Sequence, residues 1–543
     1  MKLRSFSPTW SLAALACGVL ACSSSEPGAA RSGGSNGSGG AVGSGGTTPT
    51  GGATVATGGA TGTGGAGPTG GSPTGSGGTT GSGGTGPTGG SPLATGGVTD
   101  TGGSARTGGV AGSGGMNRSG GVAGSGGASG SGGVAGSGGV AGSGGVMGSG
   151  GTTGAGDSDL TGVETPGADC VVPAMPAFSA LKENAKLPDP FTMMDGTKVT
   201  TRAQWVCRHR EISAMVQNYE TGSKGTKKAT VKGTASNGSL KVDVSGGAQE
   251  VSFSVTIKLP TTGTAPYPAM VGVSGGSLDN NKFLSMGIAT INLPTSIHPE
   301  GNRASGAIAK FNGDSKSGQL IGLAWAMSRV IDALETTPEA KIDPKRLGVT
   351  GCSRLGKAAL MIGAMDARIA LTIPEDSGSG GVASWRVSEA DNGGKTGSDG
   401  VQNLSRTYSE QQWFSKDIEQ FGKAVNKLPL DHHELVAMVA PRGLLILSNT
   451  DYTWLGCNNA DQAGGAARMV YDALGATENA GYIDSGHPHC GTLPAAELAA
   501  IEAFAKKFLL NDSSADTNVW KPKFALDKAK WVDWTPPAAG SLK

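Results

Sequence analysis

Short apolar runs alternate with longer amphipathic stretches through the second half of the chain, and this alternation predicts strands and helices in turn. Six runs are short and apolar enough to be buried strands: 269–273, 287–293, 347–350, 369–373, 444–447 and 482–483. The clearest helical stretch, residues 318–334, repeats apolar side chains at helical spacing: Leu320, Leu323, Ala324, Met327, Ile331 and Leu334. Alternating strands and helices predict an α/β fold, a three-layer α/β/α sandwich around a mostly parallel central sheet.

Residues 230–258 show a different pattern, in which polar and apolar side chains alternate singly. Alternation with a period of two is typical of strands that have one solvated face. We therefore expect antiparallel strands here, at one edge of the sheet.

Composition divides the chain into two unequal parts. Most of the 97 glycines among its 543 residues precede residue 157, in a segment of Gly, Ser, Thr, Ala and Pro. Such a segment buries too little apolar surface to offset its ordering entropy, so residues 22–165 are predicted to be a disordered tether. The catalytic domain is expected over residues 166–543. The net charge of +1 disfavours nucleic acid as a partner, because binding it requires a concentrated cationic face.

The first 21 residues resemble an export signal. Lys2 and Arg4 are followed by an apolar stretch, residues 10–20, that is too short for a lasting membrane span. The sequence Leu20-Ala21-Cys22 then resembles a bacterial lipobox, which predicts lipidation of Cys22. We expect an exported protein at the cell surface or secreted, with the membrane contacted only through this lipid anchor.

The candidate nucleophile is Ser353, within the sequence Gly-Cys-Ser-Arg-Leu-Gly from Gly351 to Gly356. A predicted strand precedes it and a helix-forming run follows it. A serine on a sharp strand-to-helix turn is lifted clear of a parallel sheet, where its hydroxyl can attack a carbonyl carbon if a base accepts the proton.

The base is sought among six histidines. Where a serine lies on such a turn, the acid and then the histidine follow it in the chain, which excludes His209 and His298. His432 and His433 precede the strand at 444–447 and are on the wrong side of it. His487 and His489 remain, in a loop after the last predicted strand.

Two cysteines favour His489 over His487. Cys352 directly precedes Ser353 and Cys490 directly follows His489, so contact between the serine and this histidine would bring both cysteines within disulfide distance. A Cys352–Cys490 bridge is therefore expected, with Cys170–Cys207 as a second bridge and Cys457 left over. A zinc site built from His487, His489 and Cys490 is disfavoured by their tight spacing.

Two aspartates are candidates for the acid that orients the base. Asp376 follows the strand at 369–373, and Asp451 follows the strand at 444–447. Either one can accept the Nδ1–H of the histidine and stabilise the imidazolium. The residues alone leave both aspartates open as the acid.

The sequence Gly-Cys-Ser-Arg-Leu-Gly-Lys, from Gly351 to Lys357, resembles the signature of glucuronoyl esterases, carbohydrate esterase family 15. The resemblance covers residues 170–510 and includes four further segments: 373–381, 431–434 together with 440–442, 454–456 and 489–490. It implies an α/β-hydrolase fold and cleavage of the ester between 4-O-methyl-D-glucuronic acid on xylan and alcohols of lignin. The family often has a glutamate 23 positions after its serine, where this chain has Asp376, one methylene shorter. The resemblance therefore implies Asp376 as the preferred acid, with Asp451 as the alternative, because some bacterial members use an acid on the later loop.

The resemblance also implies roles for the neighbours of the catalytic set. Arg354 would stabilise the oxyanion through its backbone N–H and its guanidinium. Contacts to the sugar are implied for four residues: Lys357, Gln402, Glu410 and Trp454. Neither cofactor nor metal is implied, and we expect a monomer. The alternatives are an acetyl xylan esterase or other carbohydrate esterase, and a non-catalytic carbohydrate-binding protein of the cell surface.

Overall fold

The computed structural model describes residues 164, 166–167, 169–225, 229–395, 400–410 and 412–543. The expected signal and tether, including Cys22, lie outside the described residues, apart from Glu164. No helix in the described ranges is both long and apolar enough to span a bilayer.

A single sheet of ten strands organises the described part of the chain, in the order β1-β2-β3-β5-β4-β6-β7-β8-β9-β10. Strands β1 to β3 and β5 pair antiparallel, and all the pairings from β5 through β4 to β10 are parallel. The strands are β1 Thr230–Ser236, β2 Ser239–Ser245, β3 Val251–Lys258, β4 Tyr267–Val273, β5 Ala289–Leu293, β6 Ile342–Cys352, β7 Ile369–Glu375, β8 Gly443–Asn449, β9 Ala480–Ser485 and β10 Trp520–Lys521.

Helices connect the parallel strands, as the crossover connections of a parallel sheet require. The helices of the described residues are α1 Arg202–Val216, α2 Asn280–Ser285, α3 Ala307–Asn312, α4 Gln319–Glu335, α5 Arg354–Met365, α6 Trp385–Asn392, α7 Leu404–Glu410, α8 His432–Ala437, α9 Cys457–Ala473, α10 Ala495–Leu509 and α11 Lys528–Trp531. Of these, α1 precedes β1 and α11 follows β10.

Both faces of the sheet are covered by apolar packing. Along β8, Leu444 and Ile446 belong to one buried cluster, and Leu445 and Leu447 belong to another. Successive strand residues point to opposite faces, so the two clusters lie on opposite sides of the sheet. The first cluster includes side chains of α4 and α5, and the second includes side chains of α2 and α10. The predicted three-layer sandwich is confirmed.

The sequence pattern located the central elements closely. All six predicted strands are present, the antiparallel edge at 230–258 forms β1 to β3, and the predicted helix at 318–334 is α4. The run at 287–293 forms a strand only from Ala289, because Gly287 has a φ of +80° in the preceding turn.

The parallel strands place the candidate chemistry at one edge of the sheet. β6, β7, β8 and β9 are consecutive neighbours that run in the same direction, so their carboxyl ends meet. Ser353 and Asp376 directly follow β6 and β7, and the loop with both candidate histidines follows β9. Ligand sites of open α/β sheets are found at this edge.

Candidate active site

Ser353 lies between β6 and α5 in a backbone conformation that side chains rarely adopt. Its φ is +57° and its ψ is −126°, and its backbone N–H donates to the carbonyl of Glu375 at 2.9 Å. A non-glycine residue in this region stores local strain, which the surrounding structure must support. The turn holds the side chain at the sheet edge, where it is half-buried.

The glycines on either side of Ser353 permit this turn. A Cβ on Gly351 would lie 2.4 Å from the carbonyl oxygen of Leu355, and one on Gly356 would lie 2.4 Å from that of Glu375. Both obstacles are backbone atoms, which cannot move aside as a flexible side chain can. The close approach of α5 to β6 and β7 therefore requires glycine at both positions.

Asp376 and His489 form the acid–histidine pair of the site. Nδ1 of His489 lies 3.0 Å from Oδ2 of Asp376. The same oxygen accepts from the backbone N–H of Cys490 at 3.1 Å and from Nδ2 of Asn449 at 3.2 Å. Asp376 is buried, whereas the His489 side chain is 25% exposed. With Nδ1 turned to the carboxylate, Nε2 is the nitrogen available to a substrate or nucleophile.

A disulfide joins the serine turn to the histidine loop. Cys352 and Cys490 are bonded, with their Cα atoms 5.6 Å apart, although 138 positions separate them along the chain. The residue before Ser353 is thus tied to the residue after His489. Cys170–Cys207 forms the second bridge, and Cys457 is a buried thiol. Both expected bridges are confirmed.

Asp451, the alternative candidate for the acid, has different surroundings from Asp376. It follows β8 as predicted, but its side chain is exposed, and a Cβ on Gly486 would lie 2.4 Å from its Oδ1. Asn449, two positions earlier, contacts both Asp376 and the loop of His487. β8 ends with the amide of Asn449 beside Asp376, and Asp451 comes two positions later in the chain. In the described residues, the contact to Nδ1 of His489 is made by Asp376.

His487 is buried behind the pair, on the second oxygen of Asp376. Its Nε2 lies 3.5 Å from Oδ1 of Asp376 and 3.8 Å from Oε2 of Glu497. Its Nδ1 lies 3.1 Å from the carbonyl of Pro488. The two histidines of the loop therefore face opposite oxygens of one carboxylate, a relation that the sequence analysis did not predict. The close spacing of the two histidines in His487-Pro488-His489 is the sequence feature that could have indicated this relation.

Glu375 adds another carboxyl group to this buried region. It is fully buried and accepts a hydrogen bond from the Ser277 hydroxyl. Burial, together with the nearby charge of Asp376, raises the pKa of Glu375 to about 7, against the opposing effect of the Ser277 hydrogen bond. Burial also raises the pKa of Glu497, which accepts from the Ser485 hydroxyl at 2.5 Å.

Arg354 begins α5 and is held by a carboxylate that the sequence analysis missed. Its Nε lies 3.2 Å from Oε2 of Glu300, and its side chain is 51% exposed. The other oxygen of Glu300 accepts from Nε1 of Trp413 at 2.8 Å. Glu300 thus fixes the direction of a guanidinium that is adjacent to Ser353 in the chain.

Two aromatic rings, those of Tyr452 and Trp454, lie near the imidazole of His489. The Trp454 ring lies 6.0 Å from the imidazole in an edge-on arrangement, and the Tyr452 ring lies 4.6 Å from Trp454. The Tyr452 hydroxyl accepts from the backbone N–H of His489 at 3.1 Å. Tyr452 was not predicted as a site residue, and only its position between Asp451 and Trp454 could have indicated it.

Three further residues were expected to contact the sugar, and the structure gives the surroundings of two of them. The backbone N–H of Gln402, itself buried, donates to the carbonyl of Trp454 at 3.0 Å. Lys357 is buried, and its ammonium donates to the carbonyls of Ser377 at 2.5 Å and Ser379 at 2.7 Å. Glu410 ends α7, and its side chain lies outside the described ones. The ammonium of Lys357 thus also holds the loop that follows Asp376.

One group of side chains at this site resembles a metal-binding cluster by distance alone. Potential ligand atoms of Cys352, Asp376, His489 and Cys490 lie within 4.8 Å of one another. The two sulfurs are bonded to each other, so they offer no thiolate for a metal ion. The cluster is better described as a bridged acid–histidine pair.

A serine on a strained strand-to-helix turn, followed in the chain by a carboxylate and a histidine that contact each other, defines an α/β-hydrolase. A family model described as "Glucuronyl esterase, fungi" matches residues 242–475. The 4-O-methyl-glucuronoyl methylesterase of Hypocrea jecorina is 39% identical over 374 residues, which are 68% of this chain and 79% of that protein. The chain belongs to the glucuronoyl esterase family and is a carboxylic ester hydrolase.

Solved structures agree with this assignment. The glucuronoyl esterase catalytic domain of Hypocrea jecorina has a TM-score of 0.63 and 38% identity, and the match covers 68% of this chain and all of that one. A serine-to-alanine mutant of the Sporotrichum thermophile esterase, in complex with methyl 4-O-methyl-β-D-glucopyranuronate, has a TM-score of 0.62 and 34% identity. That match covers 67% of this chain and 97% of the mutant.

Proposed function

We propose that the chain hydrolyses the ester between 4-O-methyl-D-glucuronic acid of glucuronoxylan and the alcohols of lignin. The observation that carries the proposal is the junction of two loops at the sheet edge. There the 3.0 Å contact between Asp376 and His489 lies beside the bridge that ties the turn of Ser353 to the loop of His489. The relatives named 4-O-methyl-glucuronoyl methylesterases support the substrate class.

In the first step, Oγ of Ser353 attacks the C6 carbonyl carbon of the glucuronoyl ester. Nε2 of His489 accepts the hydroxyl proton as the new bond forms. Asp376 holds the Nδ1–H and stabilises the imidazolium. The imidazolium then gives its proton to the leaving alcohol as the ester bond breaks, which leaves a glucuronoyl-enzyme.

Arg354 provides the electrostatic stabilisation of the tetrahedral intermediate. Its backbone N–H lies at the start of α5, where the helix dipole favours negative charge. Its guanidinium, fixed by Glu300, adds a permanent positive charge beside the reacting carbonyl. Loss of one such donor typically costs about 2.7–4 kcal/mol of transition-state stabilisation.

The second step repeats the first with water as the nucleophile. His489 removes a proton from water, the hydroxide attacks the acyl carbon, and the proton returns to Oγ of Ser353. The products are the free uronic acid on xylan and an alcohol. The roles of Asp376 and Arg354 are the same in both steps.

In this proposal, the pyranose ring binds against the side chain of Trp454. Indole presents an apolar face and one N–H donor, a combination suited to a sugar ring. Gln402 is joined to Trp454 through the backbone, and Lys357 and Glu410 complete the expected set of polar contacts. Because Lys357 already donates to two carbonyls, its contribution is to position the loop after Asp376 as well as to bind hydroxyl groups.

The test compares the hydrolysis of benzyl glucuronate with the release of acetate from acetylated xylan. We expect a higher kcat/KM on the glucuronate ester, and the reverse ranking would indicate an acetyl xylan esterase. Ser353→Ala should abolish turnover while preserving the fold. Ser514→Ala, an exposed serine near the C-terminus, is the matched control. Equal activity of the two variants would favour a non-catalytic role for the turn.

The location of the enzyme is proposed from the sequence before residue 164. Leu20-Ala21-Cys22 supports lipidation of Cys22, with residues 23–165 as a tether between the anchor and the esterase. Expression in a bacterial host followed by detergent phase partition tests this. The wild type should enter the detergent phase and Cys22→Ser the aqueous phase. Size-exclusion chromatography of residues 166–543 tests the expected monomer.

A further inference from the structure

Four buried ionisable side chains converge behind the contact between Asp376 and His489. In the described part of the chain, each of them has one polar atom without a hydrogen-bond partner: Glu375 Oε1, Asp376 Oδ1, His487 Nε2 and Glu497 Oε2. Three of the four are carboxyl groups, and His487 is the basic group among them. Burying several negative charges together is costly unless a positive charge compensates them.

The contacts of His487 favour an imidazolium that carries protons on both nitrogens. The backbone N–H of Asp451 donates to Oδ1 of Asn449, which orients the amide so that Nδ2 faces inward. Nδ2 lies 2.9 Å from the carbonyl of His487, 3.2 Å from Oδ2 of Asp376 and 3.2 Å from Nδ1 of His487. Its two hydrogens satisfy the two oxygens.

The two ring nitrogens of His487 then both face acceptors. Nδ1 has the carbonyl of Pro488 at 3.1 Å, and Nε2 has the carboxylates of Asp376 and Glu497 at 3.5 and 3.8 Å. A neutral imidazole has a single N–H and would leave one nitrogen lone pair facing an oxygen. The doubly protonated ring avoids this and places a positive charge against Oδ1 of Asp376.

We propose that His487 is a positioning residue of the esterase, whose positive charge keeps Asp376 ionised and directed at His489. This inference rests on the proposed function and adds to it a second histidine that acts through the acid. The two oxygens of Asp376 thereby have separate partners: Oδ2 accepts from His489, Asn449 and the backbone of Cys490, and Oδ1 faces His487.

Other ionisable groups around His487 set the sign of the expected effect. They are Glu375 at the end of β7, Asp376 directly after it, Asp451 after β8, Asp484 in β9, His489 in the same loop and Glu497 in α10. Five of these six are acids, so loss of the cation raises the negative potential around Asp376 and His489. The acid–histidine pair then stays protonated up to a higher pH. The deprotonated, active form of the enzyme is therefore reached only at a higher pH.

The kinetic test measures kcat/KM for benzyl glucuronate against pH in the wild type and in His487→Gln. An amide preserves a donor near Oδ1 of Asp376 but carries no charge. We expect the acidic limb of the profile to move up by about 1 pH unit or more, with kcat lowered and KM changed less than twofold. His433→Gln is the matched control, since His433 is also buried but contacts the carbonyl of Pro188. The acidic limb of the pH profile of this variant should not move.

A second measurement needs no variant. NMR of the protein labelled with ¹⁵N in its histidine rings should show both nitrogens of His487 protonated near neutral pH. An unmoved acidic limb in a folded His487→Gln, or a singly protonated ring in the wild type, would overturn the inference. If the wild type itself fails to hydrolyse the glucuronate ester, the proposed function fails instead, and the NMR result still decides the charge of His487.

Discussion

Removing the Cys352–Cys490 bridge should reduce both stability and turnover, whereas removing Cys170–Cys207 should reduce stability alone. In the chain-entropy description, a cross-link stabilises the fold by restricting the unfolded chain, and the effect grows with the logarithm of the enclosed length. A separation of 138 residues corresponds to about 5 kcal/mol and one of 37 residues to about 4 kcal/mol. The two deletions are therefore nearly matched in their expected cost to folding.

They differ in what they do to the active site. The bridge at Cys352 and Cys490 adjoins Ser353 and His489, and the backbone N–H of Cys490 donates to Asp376. Without the cross-link, the serine turn and the histidine loop lose their covalent connection, and a misplacement of about 1 Å can cost about 10²-fold in rate. The other bridge connects α1 to the segment that precedes it.

The assay compares Cys352→Ala/Cys490→Ala with Cys170→Ala/Cys207→Ala. Guanidinium unfolding followed by tryptophan fluorescence gives the free energy of unfolding, and benzyl glucuronate hydrolysis gives kcat in buffer where both variants remain folded. We expect similar losses of stability but a kcat at least tenfold lower in the first variant only. Equal kcat values in the two variants would refute the idea that the bridge aligns the reacting groups.

Three further predictions concern the carboxyl groups and the turn. Asp376→Asn should lower kcat by about 10³- to 10⁴-fold, because the amide favours the wrong tautomer of the histidine. Asp451→Asn should change kcat less than threefold. Steady-state kinetics on benzyl glucuronate measure both values. The pKa of Glu375 rises on folding from 4.5 to about 7. The wild type should therefore lose about 3 kcal/mol of unfolding free energy as pH increases through that interval. Denaturant titrations at several pH values should show this loss in the wild type but not in Glu375→Gln. Gly356→Ala, whose Cβ would meet the Glu375 carbonyl, should lower the melting temperature by several degrees and also reduce kcat; an unchanged melting temperature would contradict the proposed close packing at the turn.

Much of the fold was predictable because the parallel strands are buried on both faces and read as short apolar runs. Ser353 could be proposed as the nucleophile because its neighbours in the chain predict the turn that exposes it. His489 could be proposed as the base because two cysteines, one next to Ser353 and one next to His489, fit a single bridge. In each case, the signal lay within a few residues of the functional group.

The features that escaped prediction depend on side chains that are distant in sequence. Glu300 meets Arg354, and Asn449 meets Asp376, through loops whose path the local pattern does not specify. The choice between Asp376 and Asp451 was open for the same reason, since both follow strands at the same sheet edge. Lys357 was expected to contact sugar, but whether its ammonium would also bind carbonyls of the neighbouring loop depended on the position of that loop.

The exposure of the reacting groups has a consequence for the kind of polymer that the enzyme can attack. His489 is one-quarter exposed and Arg354 is half exposed, so among the described residues both side chains reach the surface of the domain. A long polysaccharide can therefore lie across it and present an ester from the middle of its backbone, without first being threaded from a free end. Cross-links in an intact cell wall, where free ends are scarce, are thus accessible in principle to a site of this shape.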